Sequence, residues 1–292
     1  MGTNIAQFGI SAALLTPFHP DGSLNVPLFC EHANTMLQYG ASGVTPFGTT
    51  GEGASIAFSE RSVAIAAMID SGVPNERITL GLCGSAIGDV VSQVEQGCSF
   101  GITDFLLLPP FYFKDLDDTG LFDWHARLFE AVDPRAKFVL YHIPQVTHVP
   151  LSLGLVRRLC TNFPGRILAI KDSAGSWDNT STLLASGEVP VLVGDERLLH
   201  RAAAMGCAGS ICGMANLYPQ RMRALFDTRV EDAELSSDVD LIVSVPVIPA
   251  LKQAMAARTG IASWSNVRAP LQALRGDSRA AIAARFLRRA TT

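Results

Sequence analysis

The stretch Arg166-Ile-Leu-Ala-Ile-Lys171-Asp-Ser-Ala-Gly175 gives the first indication of the fold. Its four consecutive apolar residues, followed by a lysine, are typical of a short β-strand that is buried on both faces. Strands of this kind belong to parallel sheets, because helices cover both sides of such sheets. We therefore expect the same pattern to recur along the chain.

Similar apolar runs do recur, and helical patterns lie between them. Alternation of strand and helix predicts right-handed βαβ units, and eight such units predict an α/β fold, the (β/α)8 or TIM barrel. A doubly wound open sheet is the alternative, but no Gly-x-Gly-x-x-Gly motif follows any strand. The predicted strands cover residues 10–15, 43–47, 78–82, 103–108, 137–141, 167–171, 189–193 and 209–212, and the helical patterns cover residues 25–39, 60–71, 87–99, 118–132 and 151–162.

The residues after the eighth strand are rich in Ala, Leu and Arg, and they contain more helical pattern than one closing helix requires. We expect a barrel over residues 1–217, then a closing helix and an added C-terminal helical region over residues 218–292. Such an addition closes the base of a barrel or supports an oligomer, and the sequence leaves both roles open.

The composition is that of a protein with a large apolar core. The 292 residues are 48% hydrophobic and 17% charged, which argues against disorder. A net charge of -4 without any basic run argues against nucleic acid as a partner. The apolar stretches are too short for a membrane span, and the N-terminus lacks the pattern of a signal peptide. We therefore expect a cytoplasmic protein with no membrane partner.

Cysteine and histidine patterns give no support to a metal site. The six cysteines form no Cys-x-x-Cys pair and have no zinc spacing, so we expect reduced, structural thiols. The six histidines are scattered along the chain. We predict no bound metal.

Lys171 is the first candidate for chemistry, since the chain has only four lysines. A lysine at the end of a buried strand is costly to keep as an ammonium ion, so burial favours the neutral amine. A neutral amine attacks carbonyl groups and forms Schiff bases. The alternative is a strand-end lysine that pairs with Asp172 or Asp195.

The segment Gly48-Thr-Thr-Gly-Glu52 follows the second strand and is typical of a tight turn. Its backbone N–H groups and two hydroxyls can converge on an anion. A carboxylate fits better than a polyphosphate, because no lysine follows the glycines as it does in a P-loop. An ordinary glycine-rich connection between strand and helix is the alternative.

Aromatic residues follow two other strands at the same end of the predicted barrel. Tyr141 lies one strand from Lys171 and can shuttle protons as a carbinolamine forms and loses water, whereas a core tyrosine is the alternative. His142 should point the opposite way along the strand, so we expect it to pack. The loop Pro109-Pro-Phe-Tyr-Phe113 is predicted to cover the barrel mouth or to contact another subunit.

Three motifs together resemble those of the dihydrodipicolinate synthase / N-acetylneuraminate lyase family of Schiff-base-forming class I aldolases. They are Gly48-Thr-Thr-Gly-Glu52, Tyr141-x-x-Pro144 and Ile170-Lys171-Asp-Ser, in this order and spacing. The resemblance covers nearly the whole chain. It implies a 2-oxo acid such as pyruvate and an aldehyde as substrates, no metal or organic cofactor, and a homo-oligomer, either a tetramer or a dimer.

The resemblance also implies roles for individual residues. Lys171 matches the lysine that condenses with the ketone, and Tyr141 matches the tyrosine that relays protons at the Schiff base. Thr49 matches the hydroxyl that links Tyr141 to a second tyrosine, Tyr112, which in synthase-type members reaches across from a neighbouring subunit. The matches that line the binding site of the 2-oxo acid are Gly48, Thr50, Gly194 and Ile211.

One departure from the family pattern concerns the second substrate. Dihydrodipicolinate synthases read Tyr-Asn-x-Pro-x-Arg-Thr-Gly, in which the arginine binds the carboxylate of aspartate semialdehyde, whereas this chain has Val146 there and His142 in place of the asparagine. The lost charge-assisted contact is worth about 1.5–3 kcal/mol. A neutral, hydroxylated electrophile therefore fits better.

We expect reversible aldol cleavage, or dehydration, of a 2-keto-3-deoxy sugar acid or a similar compound. The 4-hydroxy-tetrahydrodipicolinate synthase reaction, from pyruvate and aspartate semialdehyde, is the alternative within this chemistry. Two alternatives come from other classes. One is a sensor that binds a 2-oxo acid without catalysis, and the other is a pyridoxal phosphate enzyme, for which the chain offers no convincing phosphate cup.

Overall fold

The computed structural model describes residues 8–287, and eight β-strands form one sheet within that range. The strands are β1 (Gly9–Ala13), β2 (Gly43–Thr45), β3 (Thr79–Leu82), β4 (Asp104–Leu107), β5 (Lys137–His142), β6 (Ile167–Asp172), β7 (Val191–Val193) and β8 (Gly209–Cys212). All their pairings are parallel, in the order β2-β1-β8-β7-β6-β5-β4-β3. A bridge between Val44 and Ile78 joins the two ends, so the sheet is a nearly closed barrel.

Twelve α-helices lie in the same described range. They are α1 (Val26–Gln38), α2 (Phe58–Asp70), α3 (Ile87–Ser99), α4 (Asp118–Ala131), α5 (Pro144–Thr147), α6 (Leu153–Asn162), α7 (Trp177–Ser186), α8 (Leu199–Ala204), α9 (Pro219–Thr228), α10 (Ala233–Val243), α11 (Val247–Thr259) and α12 (Gly276–Leu287). At least one helix follows every strand, and α10 to α12 are additional. The predicted (β/α)8 barrel with C-terminal helices is therefore confirmed, while the division at residues 217 and 218 stays a prediction.

The predicted helices agree with α1 to α4 and α6 within two residues at each end. Five strands are shorter than predicted, by two residues in β2, β4 and β7 and by one in β1 and β3. In β2 and β7 the strand stops at Pro46 and starts after Pro190, because a proline carries no N–H group for the ladder. The single turn of α5 is too short to show a helical period in the sequence. None of the helices in residues 8–287 is long and apolar enough to cross a membrane.

The register between β5 and β6 separates two sets of side chains. Tyr141 pairs with Lys171, and His142 pairs with Asp172. Residues in register on adjacent parallel strands share a face of the sheet, and successive residues alternate between faces. Tyr141 packs in the barrel interior with Val139 and its neighbours, whereas Asp172 bonds to α7 outside the barrel. The first pair therefore points inward and the second points outward.

Gly81 of β3 fixes the start of the turn after β2. A Cβ atom at this position would lie 2.5 Å from both the carbonyl oxygen of Phe47 and the backbone nitrogen of Gly48. Without one, the strands approach closely enough for the Gly81 N–H to donate to the Pro46 carbonyl at 2.9 Å. The turn that begins at Gly48 is therefore held against the rim of the barrel.

Candidate active site

Lys171 lies near the end of β6 and points into the barrel at the carboxyl-terminal ends of the strands. Only 4% of the residue is exposed. Its Nζ atom lies 4.1 Å from the centre of the Tyr141 ring. An amine in this position has a phenol, rather than bulk water, as its nearest source of protons.

The two aspartates considered as ion-pair partners of Lys171 bind other groups. Asp172 accepts a hydrogen bond of 2.6 Å from the hydroxyl of Thr180 on α7. Asp195 forms an ion pair of 2.6 Å with Arg197. Because both carboxylates are engaged elsewhere, the geometry favours a chemical role for Lys171 over a strand-end ion pair.

Tyr141 is buried beside Lys171. Burial raises the pKa of the phenol, but the positive charge of Lys171 and hydrogen bonds with Thr49, Lys171 and Ser173 together lower it by more. The pKa of Tyr141 is therefore below its usual value. A phenol with a lowered pKa exchanges protons more readily near neutral pH, which suits a proton relay.

The turn after β2 places Thr49 and Thr50 on the same cavity as Lys171. The Gly53 N–H donates to the carbonyl of Gly48 at 3.1 Å and closes the turn. Such a turn can direct backbone N–H groups toward an anion. The cavity thus holds the amine of Lys171, the phenol of Tyr141 and the turn with Thr49 and Thr50, which were predicted separately.

Glu52 anchors this turn through a buried ion pair that was not predicted. Its Oε1 atom lies 2.5 Å from Nζ of Lys252 on α11, and both side chains are fully buried. Burial lowers the pKa of Lys252 to about 8, against the opposing charge of Glu52. The second carboxylate oxygen, Oε2, accepts a bond of 2.9 Å from the Arg268 backbone N–H. The C-terminal region therefore holds the turn in place.

Three residues of the seventh and eighth strand ends complete the inner wall of the cavity. A Cβ atom at Gly194 would lie 1.9 Å from the Ser173 hydroxyl, so only glycine fits there. The carboxyl of Glu196 accepts a bond of 2.7 Å from the Met214 N–H, and burial raises its pKa, an effect that the charge of Lys171 opposes. Ile211 is fully buried in the barrel interior.

The cavity around Lys171 has a volume of about 600 Å³, which is in the range of small-molecule sites. Barrel residues form its inner wall, and residues of α10 and α11 form its outer wall. A larger cavity of about 840 Å³ lies between α1, α9 and α11. We place the candidate active site in the smaller cavity, because it holds Lys171, Tyr141 and the Thr49–Thr50 turn.

Tyr112 lies away from this cavity. It is 75% exposed, and its ring stacks edge-on against Phe113 at 5.3 Å. The backbone N–H groups of Phe111 and Tyr112 both donate to the Ser85 hydroxyl at 3.2 Å, which holds the loop at the surface. Within one chain Tyr112 is therefore not part of the Lys171 constellation, and its relay role stays a prediction that requires a second subunit.

His142 and Val146 occupy different sides of the fifth strand end. His142 points outward, where its Nδ1 atom accepts a bond of 3.0 Å from the Leu151 N–H. Burial lowers the pKa of this imidazole, and the charge of Asp172 opposes the shift. Val146 lies in α5, lines the cavity and is 55% exposed. The position of the missing arginine is therefore at the cavity mouth.

Metal ligands are not gathered anywhere in the described part of the chain. Within residues 8–287, no group of three or more His, Cys, Asp or Glu side chains could hold a metal ion.

The residues that sequence reasoning missed are Glu52 as an anchor, its partner Lys252, and the outer wall from α10 and α11. None of these leaves a local signal, because each depends on a contact between distant segments.

Several proteins of known name match most of this chain. A protein of Chloroflexus aurantiacus, named an uncharacterized DapA-like lyase, is 31% identical in an alignment of 289 positions that covers 96% of each chain. A 4-hydroxy-tetrahydrodipicolinate synthase of Methanothrix thermoacetophila is 30% identical over 216 residues, 73% of this chain and 70% of that protein. The crystal structure of dihydrodipicolinate synthase from Agrobacterium tumefaciens superposes with a TM-score of 0.92 at 39% identity, over 96% of this chain and 98% of that one.

A TIM barrel with a buried lysine and tyrosine at its mouth, and relatives of this kind, defines an enzyme of the lyase and aldolase class. The chain matches the model of the dihydrodipicolinate synthetase family over residues 6–287, and it belongs to that family. The resemblance inferred from the three motifs is therefore confirmed.

Proposed function

We propose that Lys171 forms a Schiff base with the ketone of pyruvate or a related 2-oxo acid. On this proposal the enzyme reversibly cleaves the carbon–carbon bond of a 4-hydroxy-2-oxo acid, the class that includes the 2-keto-3-deoxy sugar acids expected from the sequence. The observation that carries the proposal is the Lys171 amine, 4.1 Å from the Tyr141 ring in a cavity that also contains the Thr49–Thr50 turn.

The first stage forms the imine. The neutral amine of Lys171 attacks the ketone carbon, and the ketone oxygen takes up the proton that the nitrogen releases. Tyr141 then donates its proton to the resulting hydroxyl, which leaves as water. The products are a protonated imine on Lys171 and a phenolate on Tyr141. Hydrogen bonds with Thr49 and Ser173, which act to lower the pKa of Tyr141, favour this transfer.

The second stage breaks the bond between C3 and C4 of the substrate. The Tyr141 phenolate removes the proton of the C4 hydroxyl, the bond electrons move into the protonated imine, and an aldehyde leaves. An enamine remains on Lys171. Protonation at C3 and hydrolysis of the imine then release pyruvate. Dehydration of such acids would use the same imine, so both reactions belong to the proposal.

A second candidate is the 4-hydroxy-tetrahydrodipicolinate synthase reaction, which the name of the Methanothrix relative favours. The site gives it less support. Val146 replaces the expected arginine, and the cavity's own Arg197 already pairs with Asp195 at 2.6 Å and with Asp240 at 2.8 Å. Turnover of aspartate semialdehyde with pyruvate, at a rate equal to that of the best aldol substrate, would promote this candidate.

We also propose that the enzyme works as a cytoplasmic homo-oligomer, a dimer or a tetramer. The exposed pair Tyr112 and Phe113 supports an interface at this loop, because two large aromatic side chains are left uncovered in the single chain. A neighbouring subunit would then supply Tyr112 to the relay that runs through Thr49 and Tyr141.

Pyruvate release tests the proposed cleavage. The protein is incubated with 2-keto-3-deoxygluconate and with other 4-hydroxy-2-oxo acids, and pyruvate is measured through NADH consumption by lactate dehydrogenase. We expect release by the wild type and by the control variant Lys137→Ala, because Lys137 is exposed at the start of β5. We expect none from Lys171→Ala. Release that persists in Lys171→Ala, or cleavage of no acid in the series, would contradict the proposal.

A further inference from the structure

The outer wall of the Lys171 cavity is made almost entirely of hydrocarbon. We use the name apolar wall for six of its residues, three from α10 and three from α11, which are Val239, Ile242, Val243, Val247, Ile248 and Leu251. Val239 and Ile242 are buried, whereas Val243 and Val247 are 44% and 42% exposed at the mouth. The wall therefore extends from the interior of the site to its opening.

The apolar wall is held against the barrel rim by direct contacts. A Cβ atom at Gly213, after β8, would lie 2.9 Å from Cδ1 of Leu251, so α11 packs on this backbone. Arg197 after β7 donates to Asp240 of α10 at 2.8 Å. Pro246 precedes α11 and restricts the turn between the two helices. Contacts within the chain thus fix the position of the wall.

Several polar groups near the wall already have partners within the protein. Both ends of the Arg197 guanidinium are bound by aspartates. Nε2 of Gln145 donates to the Ser173 carbonyl at 2.5 Å, and Oε1 of Glu196 accepts from the Met214 N–H. A hydroxylated tail against the apolar wall would lose hydrogen bonds to water, and the six side chains of the wall have no donor or acceptor to replace them, which costs free energy.

From these contacts we infer that the electrophile of this enzyme is an apolar aldehyde, aliphatic or aromatic. The corresponding substrate in the cleavage direction is a 4-hydroxy-2-oxo acid whose chain beyond C4 is hydrocarbon. This inference rests on the proposed function and narrows it. A hydrocarbon chain then takes the place of the hydroxylated chain of a sugar acid. Val146 becomes one more apolar residue at the cavity mouth, where an arginine would bind a carboxylate that this electrophile does not have.

Condensation of pyruvate with matched aldehydes tests the inference. Benzaldehyde and 3-methylbutanal are compared with D-glyceraldehyde and succinic semialdehyde, and kcat/KM is measured for each. We expect the apolar pair to be favoured by at least about tenfold, since burial of two methylene groups corresponds to a factor of that order. Equal rates, or a preference for either polar aldehyde, would overturn the inference.

Wall variants show whether the preference comes from these residues. Val243→Ser and Val247→Ser change exposed positions, and the ratio of kcat/KM for benzaldehyde and glyceraldehyde within one variant does not depend on the folded fraction. We expect this ratio to fall by about fivefold or more in each. The matched control Val63→Ser, at an exposed position of α2, should keep the wild-type ratio. An unchanged ratio in both wall variants would overturn the inference.

Trapping of pyruvate by borohydride distinguishes failure of the proposed Schiff-base function from failure of the inference about the electrophile. If the wild type forms the reduced adduct but prefers polar aldehydes, the proposed function stands and only the inference about the electrophile fails. If no adduct forms with pyruvate, both fail together.

Discussion

The proposed Schiff-base chemistry requires particular protonation states of Lys171 and Tyr141. The amine must be neutral to attack a ketone, and the phenol must be protonated to donate. The two groups lie together because they are in register on β5 and β6, and Thr49 reaches the same phenol from the turn after β2. Lys171 and Thr49 therefore act on the pKa of Tyr141 through direct contact.

The lowered pKa of Tyr141 predicts a particular alkaline limb in the pH profile. A neutral phenol donates and a phenolate does not, so kcat/KM for cleavage should fall as pH rises through a pKa below 10, the ordinary value for tyrosine. Tyr141→Phe should lower kcat by about 10²–10⁴-fold and should lose this limb. An unchanged alkaline limb in Tyr141→Phe would show that another group titrates there.

Residues at strand ends could be selected from the sequence, because an apolar run locates each end. Lys171, Tyr141 and the Thr49–Thr50 turn were selected in this way, and the structure brings them to one cavity. Tyr112 is the exception. Its predicted role depends on a second subunit, and a residue that is 75% exposed in one chain gives no geometry for that role.

At the scale of elements, the link between α11 and the turn after β2 connects residues 200 positions apart. Lys252 and Glu52 are fully buried together, and the ammonium also lies 4.3 Å from the centre of the Phe18 ring. Local pattern predicts a C-terminal helical region and the turn separately. It cannot predict their contact, because neither segment carries a signal about the other.

Removal of one partner from this ion pair should be costly. Lys252→Met leaves the Glu52 carboxylate buried without a counter-charge, and we expect the free energy of unfolding to fall by about 3–5 kcal/mol in urea denaturation. The double variant Glu52→Gln, Lys252→Met should recover part of this loss. Lys137→Met, at an exposed position, serves as the control and should change stability by no more than about 0.5 kcal/mol. A loss below about 1 kcal/mol in Lys252→Met would contradict the proposed anchor.

The position of α10 and α11 over the cavity could not be predicted from the sequence. The helical region after Tyr218 was recognised from its composition, but its place over the barrel mouth follows from packing of Leu251 on Gly213 and from the Arg197–Asp240 bond. Both contacts join distant segments. Without them, Val146 indicated only the absence of a positive charge and not the presence of an apolar surface.

For the whole molecule, the barrel was the most predictable feature. Eight apolar runs with helices between them can close only as a parallel sheet with covered faces. Closure itself depends on finer detail, since β2 and β3 meet through one bridge and through the close approach at Gly81. The turn with Thr49 and Thr50 begins at this contact between β2 and β3. The close approach at Gly81 therefore contributes both to barrel closure and to the position of the turn.

Two buried histidines predict how stability depends on acid. Burial lowers the pKa of His32 and of His125 to about 4. Nδ1 of His125 donates to the Leu121 carbonyl, and its Nε2 atom has no hydrogen-bond partner among residues 8–287. Their pKa values in the unfolded chain are near 6.5, so protonation favours unfolding. Stability is complete above pH 6.5 and falls as the pH decreases from 6.5 toward 4.

Urea denaturation at pH 7 and pH 5 measures this effect. Each histidine should contribute about 2 kcal/mol of the loss between these two pH values. His125→Phe replaces the ring with an apolar one of similar size, so the difference between the two pH values should be smaller in this variant by about that amount. The same pH dependence in His125→Phe and in the wild type would refute the assignment.

Borohydride trapping shows whether pyruvate forms the proposed Schiff base with Lys171. The protein is mixed with pyruvate and sodium borohydride, and intact mass and peptide maps are recorded. We expect a mass increase equal to one pyruvate, less one water and plus two hydrogens, on the peptide that contains Lys171. Lys137→Ala should form the adduct and Lys171→Ala should not. An adduct on another lysine, an adduct that survives Lys171→Ala, or no adduct in the wild type would contradict the claim.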